Sequence, residues 1–192
     1  MVASLTRAAL ATPLVNGGFE SGDFTGWTVA PASVGSNLTI QGSGGADLDV
    51  FATRFGAAAG INDTISQSIT TAIGNFYQIN FFVSNTTGGG ENLRVIFGSE
   101  ILFDGVPPIT GSLGAYTPVS FTTTLAATST STLFSVGGRD ATAFFRVDEF
   151  DVTDLGAASA PELNSKNAAV PFIFTCLILL LCRRQRQGPE LS

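Results

Sequence analysis

An all-β antiparallel sandwich or barrel, followed by a linker and one C-terminal membrane helix, is the architecture this sequence predicts. Three observations predict it. From Pro13 to Thr153, short runs alternate apolar or β-branched residues with polar ones, the period-two pattern of half-buried strands. Clusters of Gly, Asn, Asp and Pro interrupt these runs where strands must turn. Near the end, fifteen residues from Ala168 to Cys182 pass without a charge, and Arg183, Arg184 and Arg186 follow at once.

Taken in order, the first residues contain Ala9-Leu10-Ala11, the small-residue form of a signal-peptidase site. Arg7 interrupts the apolar region such a signal needs, so residues 1–12 are read as a remnant signal peptide or a disordered terminus. Residues 13–154 form the β domain. Its strands are expected in 37–42, 46–55, 63–71, 76–85, 92–98, 116–125, 131–138 and 143–153. "GSGG", "NTTGGGEN", "DGVPP" and "GGRDA" supply the turns. The expected core is Phe19, Trp27, Ile65, Ile69, Phe76, Ile79, Phe81, Val95, Phe121, Phe134, Phe145 and Val147. Residues 155–167 read as a linker.

As a helix, residues 168–182 span about 22 Å, against a hydrocarbon core of ~30 Å. Snorkelling arginines and local thinning cover part of the deficit. The arginines behind the run place residues 183–192 in the cytoplasm and the β domain outside. Cys176 and Cys182 both lie in this run, so no disulfide staples the domain.

Between Thr12 and Ala160 thirteen acidic residues face four arginines, a net charge of −9. Such a domain repels phosphate backbones, and nucleic acid is not an expected partner. The sequence contains no histidine. That excludes Ser-His-Asp and Cys-His catalysis, histidine metal sites and imidazole acid–base chemistry. A glycosidase would need two carboxylates flanking one bond. Asp148 and Glu149 point to opposite faces of a strand, Asp151 is a candidate by composition alone, and Asp47, Asp104 and Asp140 lie in or beside turns. The domain is therefore read as non-catalytic.

Two resemblances extend this reading. "APEL" at 160–163, an apolar run and "CRRQR" resemble the C-terminal sorting signal of PEP-CTERM proteins, with Pro161 and Glu162 on its first two motif positions and Leu163 replacing the second proline. The resemblance implies recognition by an exosortase, a membrane protease–transpeptidase, and a place at the cell surface or in extracellular polysaccharide. "LVNGGFESGDFTGWTV" at 14–29, "SQSITTAIGNFYQINFFVSN" at 66–85 and "FFRVDEFDVT" at 144–153 resemble the galactose-binding-like jelly rolls of carbohydrate-binding modules. This implies a jelly-roll sandwich. It also implies a structural Ca²⁺ held by Glu20 and Asp148, with backbone carbonyls near Gly18 or Asp49. Two functions are then in play: a surface-anchored structural or adhesive protein, or a carbohydrate-binding module tethered to exopolysaccharide. Sugars pack on exposed Trp or Tyr rings. Trp27 and Tyr77 sit in apolar surroundings suited to the core, which leaves Tyr116 as the candidate ligand contact.

Overall fold

Two five-stranded antiparallel sheets enclose one hydrophobic core. They are seen in a computed structural model that describes residues 14–32, 35–42, 50–57, 60–86, 90–112 and 114–157. The strands are β1 (Thr28–Ala30), β2 (Thr39–Gly42), β3 (Phe51–Phe55), β4 (Asp63–Thr70), β5 (Asn75–Ser84), β6 (Asn92–Phe97), β7 (Glu100–Gly105), β8 (Thr117–Thr122), β9 (Ser131–Arg139) and β10 (Phe145–Ala157). One sheet runs β1-β4-β9-β6-β7 and the other β2-β3-β10-β5-β8. Spatial neighbours that are distant in sequence, such as β3 and β10, carry the crossovers of a jelly roll. The chain divides into Met1–Ala158 and Ser159–Ser192. The expected sorting motif at Pro161 and Glu162, the expected helix over 168–182, and Arg183, Arg184 and Arg186 lie outside the described residues. Among the described residues no helix is long and apolar enough to cross a membrane.

Alternation selects the core. Ile65 and Ile69 of β4, Leu93, Val95 and Phe97 of β6, and Phe134 and Val136 of β9 face inward from the first sheet. Phe55, Tyr77, Ile79, Phe81, Val83, Phe145, Val147, Phe150 and Val152 meet them from the second. Phe150 joins the two walls, with its ring 5.6 Å from Phe134 and 5.2 Å from Phe81. Trp27 is buried as expected, stacked on Phe19 at 5.6 Å, and its indole N–H donates to the Asn16 carbonyl at 3.0 Å. Gln67 holds the opening segment from β4. Its amide donates to the carbonyls of Val15 and Gly26 and accepts the Val15 N–H at 2.7 Å. Gly17 has an ordinary negative φ; what it supplies is close approach, because a Cβ there would overlap the Phe150 carbonyl oxygen. Phe150 N–H donates to Gly17 O at 3.0 Å, which fastens the opening to the closing strand.

Several expectations need correction. Phe76, expected in the core, is half-buried, whereas Tyr77 is buried as its apolar surroundings suggested, with its hydroxyl accepting the Ala72 N–H at 2.8 Å. Ile79 and Phe81 face inward as expected, and the same alternation turns Phe76 to the other face. Phe121 packs at the margin of the core. β7 was not expected: Gly98, with φ of 62°, and Ser99 form a two-residue hairpin loop, which turns the chain before "DGVPP". β1 is a short exposed edge strand inside the opening motif. β3 spans Phe51–Phe55, while residues 43–49 of the expected strand lie outside the described residues. Asp140, expected to be solvated, is 1% exposed. Its Oδ1 accepts the N–H groups of Thr142 and Ala143, and so shapes the turn into β10.

Candidate functional site

β10 lies at the centre of its sheet. Phe145 and Val147 face the core, so Arg146 and Asp148 project from the outer face. Both are buried there, at 8% and 0% exposure. Arg146 stands directly opposite Arg54 of β3 on one side and Ser84 of β5 on the other; Asp148 stands opposite Phe82. Phe144, delivered by the Asp140 turn, lies under both cations. Its ring centroid is 4.1 Å from the Arg54 guanidinium carbon and 5.6 Å from that of Arg146. The far end of the Arg54 fork donates to Asn37 Oδ1 at 3.0 Å.

Tyr116 completes the group. The loop before β8 is pinned to the end of β5: Thr110 N–H donates to Asn85 O at 2.7 Å and Gly114 N–H to Ser84 Oγ at 3.2 Å. This sets Tyr116 beside Arg146, to which its hydroxyl is hydrogen-bonded. Burial pushes the Tyr116 phenol up to about 12; Arg146 opposes the rise and the Asp148 carboxylate adds to it. Burial, then the charge of Arg146, lowers the Arg54 pKa. The alternation that turns Arg146 outward also turns Asn80 and Gln78 of β5 and Ser120 of β8 outward, and Gln78 donates to Ser120 Oγ at 3.1 Å. The face therefore offers an aromatic ring, two guanidinium groups, a phenol and side-chain amides. Such groups match a ring-shaped, hydroxyl-bearing ligand.

The residues expected from sequence are divided by the fold. Asp148 and Tyr116, assigned there to different roles, share this face. Glu20 sits in the opening loop and accepts the N–H groups of Val50 and Phe51 at 3.1 and 2.8 Å, capping the start of β3. Asp148 Oδ1 accepts the N–H of Glu149 at 2.8 Å. Glu149 occupies the β10 irregularity with φ of 53° and is the acid that reaches the opening motif: a Cβ on Gly18 would meet its Oε1 at 2.6 Å. Among the described residues no group of three His, Cys, Asp or Glu could hold a metal, and Asp49 lies outside them. Sequence reading missed Arg54, Phe144 and Arg146. The signal was present in "FFRV": an Arg and a Phe two apart in an apolar strand share the face opposite the core.

No family model matches the chain, and no curated protein matches it. Solved structures do. A family 61 carbohydrate-binding module in complex with β-1,4-galactotriose aligns at TM-score 0.56 and 17% identity, covering 74% of this chain and 98% of the module. The CBM22-1 xylan-binding domain of Paenibacillus barcinonensis Xyn10C aligns at TM-score 0.53 and 17% identity, over 81% and 100%. A Stig cyclase from Fischerella sp. TAU aligns at TM-score 0.60 and 13% identity, over 79% and 100%. The fold is thus the jelly-roll sandwich of carbohydrate-binding modules, a scaffold that also carries cyclases. At these identities the likeness is one of fold.

Proposed function

We propose that the domain is a non-catalytic polysaccharide-binding module that acts outside the cell. The outer face of the β10 sheet carries this reading, with Phe144, Arg54, Arg146 and Tyr116 gathered over one central strand. A sugar-binding fold supports it, since two of the similar structures are described as a galactotriose complex and a xylan-binding domain. Export and anchoring through the PEP-CTERM-like tail, with an exosortase as partner, belong to the same proposal and rest on sequence alone. A bound module then holds its cell, or itself, to extracellular polysaccharide.

The test is affinity electrophoresis of the full chain in detergent through gels that contain single polysaccharides, neutral and acidic. At least one polymer retards the protein, and Phe144→Ala or Tyr116→Ala restores its mobility. Unchanged mobility in every polymer overturns the reading. Structural calcium on Glu20 and Asp148 is a separate part of the proposal. Among the described residues no group of three such acids could hold a metal, so backbone carbonyls such as that of Gly18 would have to supply most of the six to eight oxygens. EDTA should lower the melting midpoint and calcium restore it, with the response lost in Glu20→Gln; a melt indifferent to both reagents removes the ion.

A further inference from the structure

We infer that the polysaccharide taken by this face is acidic, and that Arg54 receives a carboxylate of its uronic acid units. The inference rests on the glycan-binding reading and specifies its ligand class.

Arg54 and Arg146 are a like-charged pair, directly opposite across β3 and β10. Like charges in that position are destabilising. Burial and mutual repulsion both disfavour the charge on Arg54. Arg146 has compensation at hand, with the Tyr116 hydroxyl bonded to it and Asp148 two residues along on the same face. Arg54 is placed differently. Its side-chain hydrogen bond is to a neutral amide, Asn37. On the other sheet Arg94 does have a carboxylate, pairing with Asp104 at 3.4 Å. A domain with thirteen acids thus leaves Arg54 without a carboxylate at contact distance among the described residues.

The geometry suits an anion on a sugar. The Arg54 guanidinium carbon lies 4.1 Å from the Phe144 ring centroid and the fork donates to Asn37, so two contacts restrict the planar group before a ligand arrives. A carboxylate takes such a fork through two parallel hydrogen bonds. A uronate carries its carboxylate beside ring hydroxyls, and the amides of Gln78 and Asn80 lie on the same face. The net charge of the domain opposes a polyanion. At ~0.1 M salt, charges beyond about 10 Å are largely screened, so the local pair decides.

The experiment compares polygalacturonate, alginate and hyaluronan with their carboxyl-reduced forms, by titration calorimetry on the full chain in detergent. At least one acidic polymer binds roughly tenfold or more tightly than its reduced form, as a charge-assisted hydrogen bond implies. Arg54→Gln binds the two forms alike, and Arg54→Lys lies between because it keeps the charge and loses the fork. Far-UV spectra and melts establish that the variants are folded. Equal binding of acidic and reduced forms, or a preference that survives Arg54→Gln, overturns the inference while the glycan-binding reading stands. Binding of no polymer, acidic or reduced, overturns both.

Discussion

The four arginines of the domain divide evenly between the outer faces of the two sheets, and the two faces treat them in opposite ways. On the first sheet, Arg139 donates to Asn62 Oδ1 at 2.9 Å, Asn62 to Asn92 Oδ1 at 2.7 Å, and Asn92 to Asp104 Oδ1 at 2.9 Å. Arg94 closes the chain on Asp104 at 3.4 Å. These residues line a cavity of about 400 Å³ whose polar groups largely serve one another. On the second sheet, Arg54 and Arg146 face each other over an aromatic ring. A relay that satisfies itself is a finished surface. A like-charged pair over a ring costs stability in the free protein, and in the proposed function a ligand offsets that cost, so the difference separates a solvated face from the proposed binding face.

The largest effect should come from Gly138, on the inner side of β9. A Cβ there would overlap the Phe55 ring and come within 2.8 Å of Phe145, the stacked pair that backs Arg54, Phe144 and Arg146 from inside the core. Gly138→Ala should cost ~3 kcal/mol by overpacking, read as a lower denaturation midpoint. It should also weaken glycan binding on the opposite sheet. An unchanged midpoint would mean the two sheets are not packed as described.

Next come the two faces themselves. Phe144→Ala should lower glycan affinity roughly tenfold, the scale of a lost ring and cation–π contact. Asn62→Ala, which cuts the relay, should leave affinity within about twofold; equal losses would erase the distinction. Stability should move the other way. Arg54→Gln relieves repulsion from Arg146 and should leave the unfolding free energy, read from thermal melts, unchanged or raise it by under ~1 kcal/mol. Arg94→Gln breaks an exposed ion pair and should lower it by about 0.5 kcal/mol. The smallest effect concerns Glu100, where β7 reaches across to the other sheet. Its carboxylate accepts the Thr124 hydroxyl at 2.6 Å and the N–H groups of Thr124 and Leu125. Burial raises its pKa, but these bonds outweigh it, and the net shift is downward from 4.5. Its contribution is therefore complete above about pH 4.5 and fades as the pH falls through the lower folded value. Because the group is largely solvated, under ~1 kcal/mol is at stake, and Glu100→Gln should flatten that part of an acid titration.

Much of this was legible along the chain. Period-two alternation found eight of the ten strands, and placed Ile65, Ile79, Phe81 and Val147 in the core, because each residue's face follows from its immediate neighbours. It erred at Phe76, which lies beside the buried Tyr77 and faces outward, and where a two-residue Gly-Ser loop hid between apolar runs. The charge balance and the missing histidine bounded the chemistry before any fold was known. Which strands become neighbours was not legible. Nothing near Arg54 announces Arg146, and nothing near Tyr116 announces Asp148; β3 meets β10 only because the sandwich folds the chain back over its whole length. The same holds for Asp140, which sequence placed in solvent and packing buried. Alternation is a property of adjacent residues, whereas register between distant strands is set by the combined burial of both sheets. The core was thus written locally, and the cluster on the outer face of β10 arose only when the sheets closed.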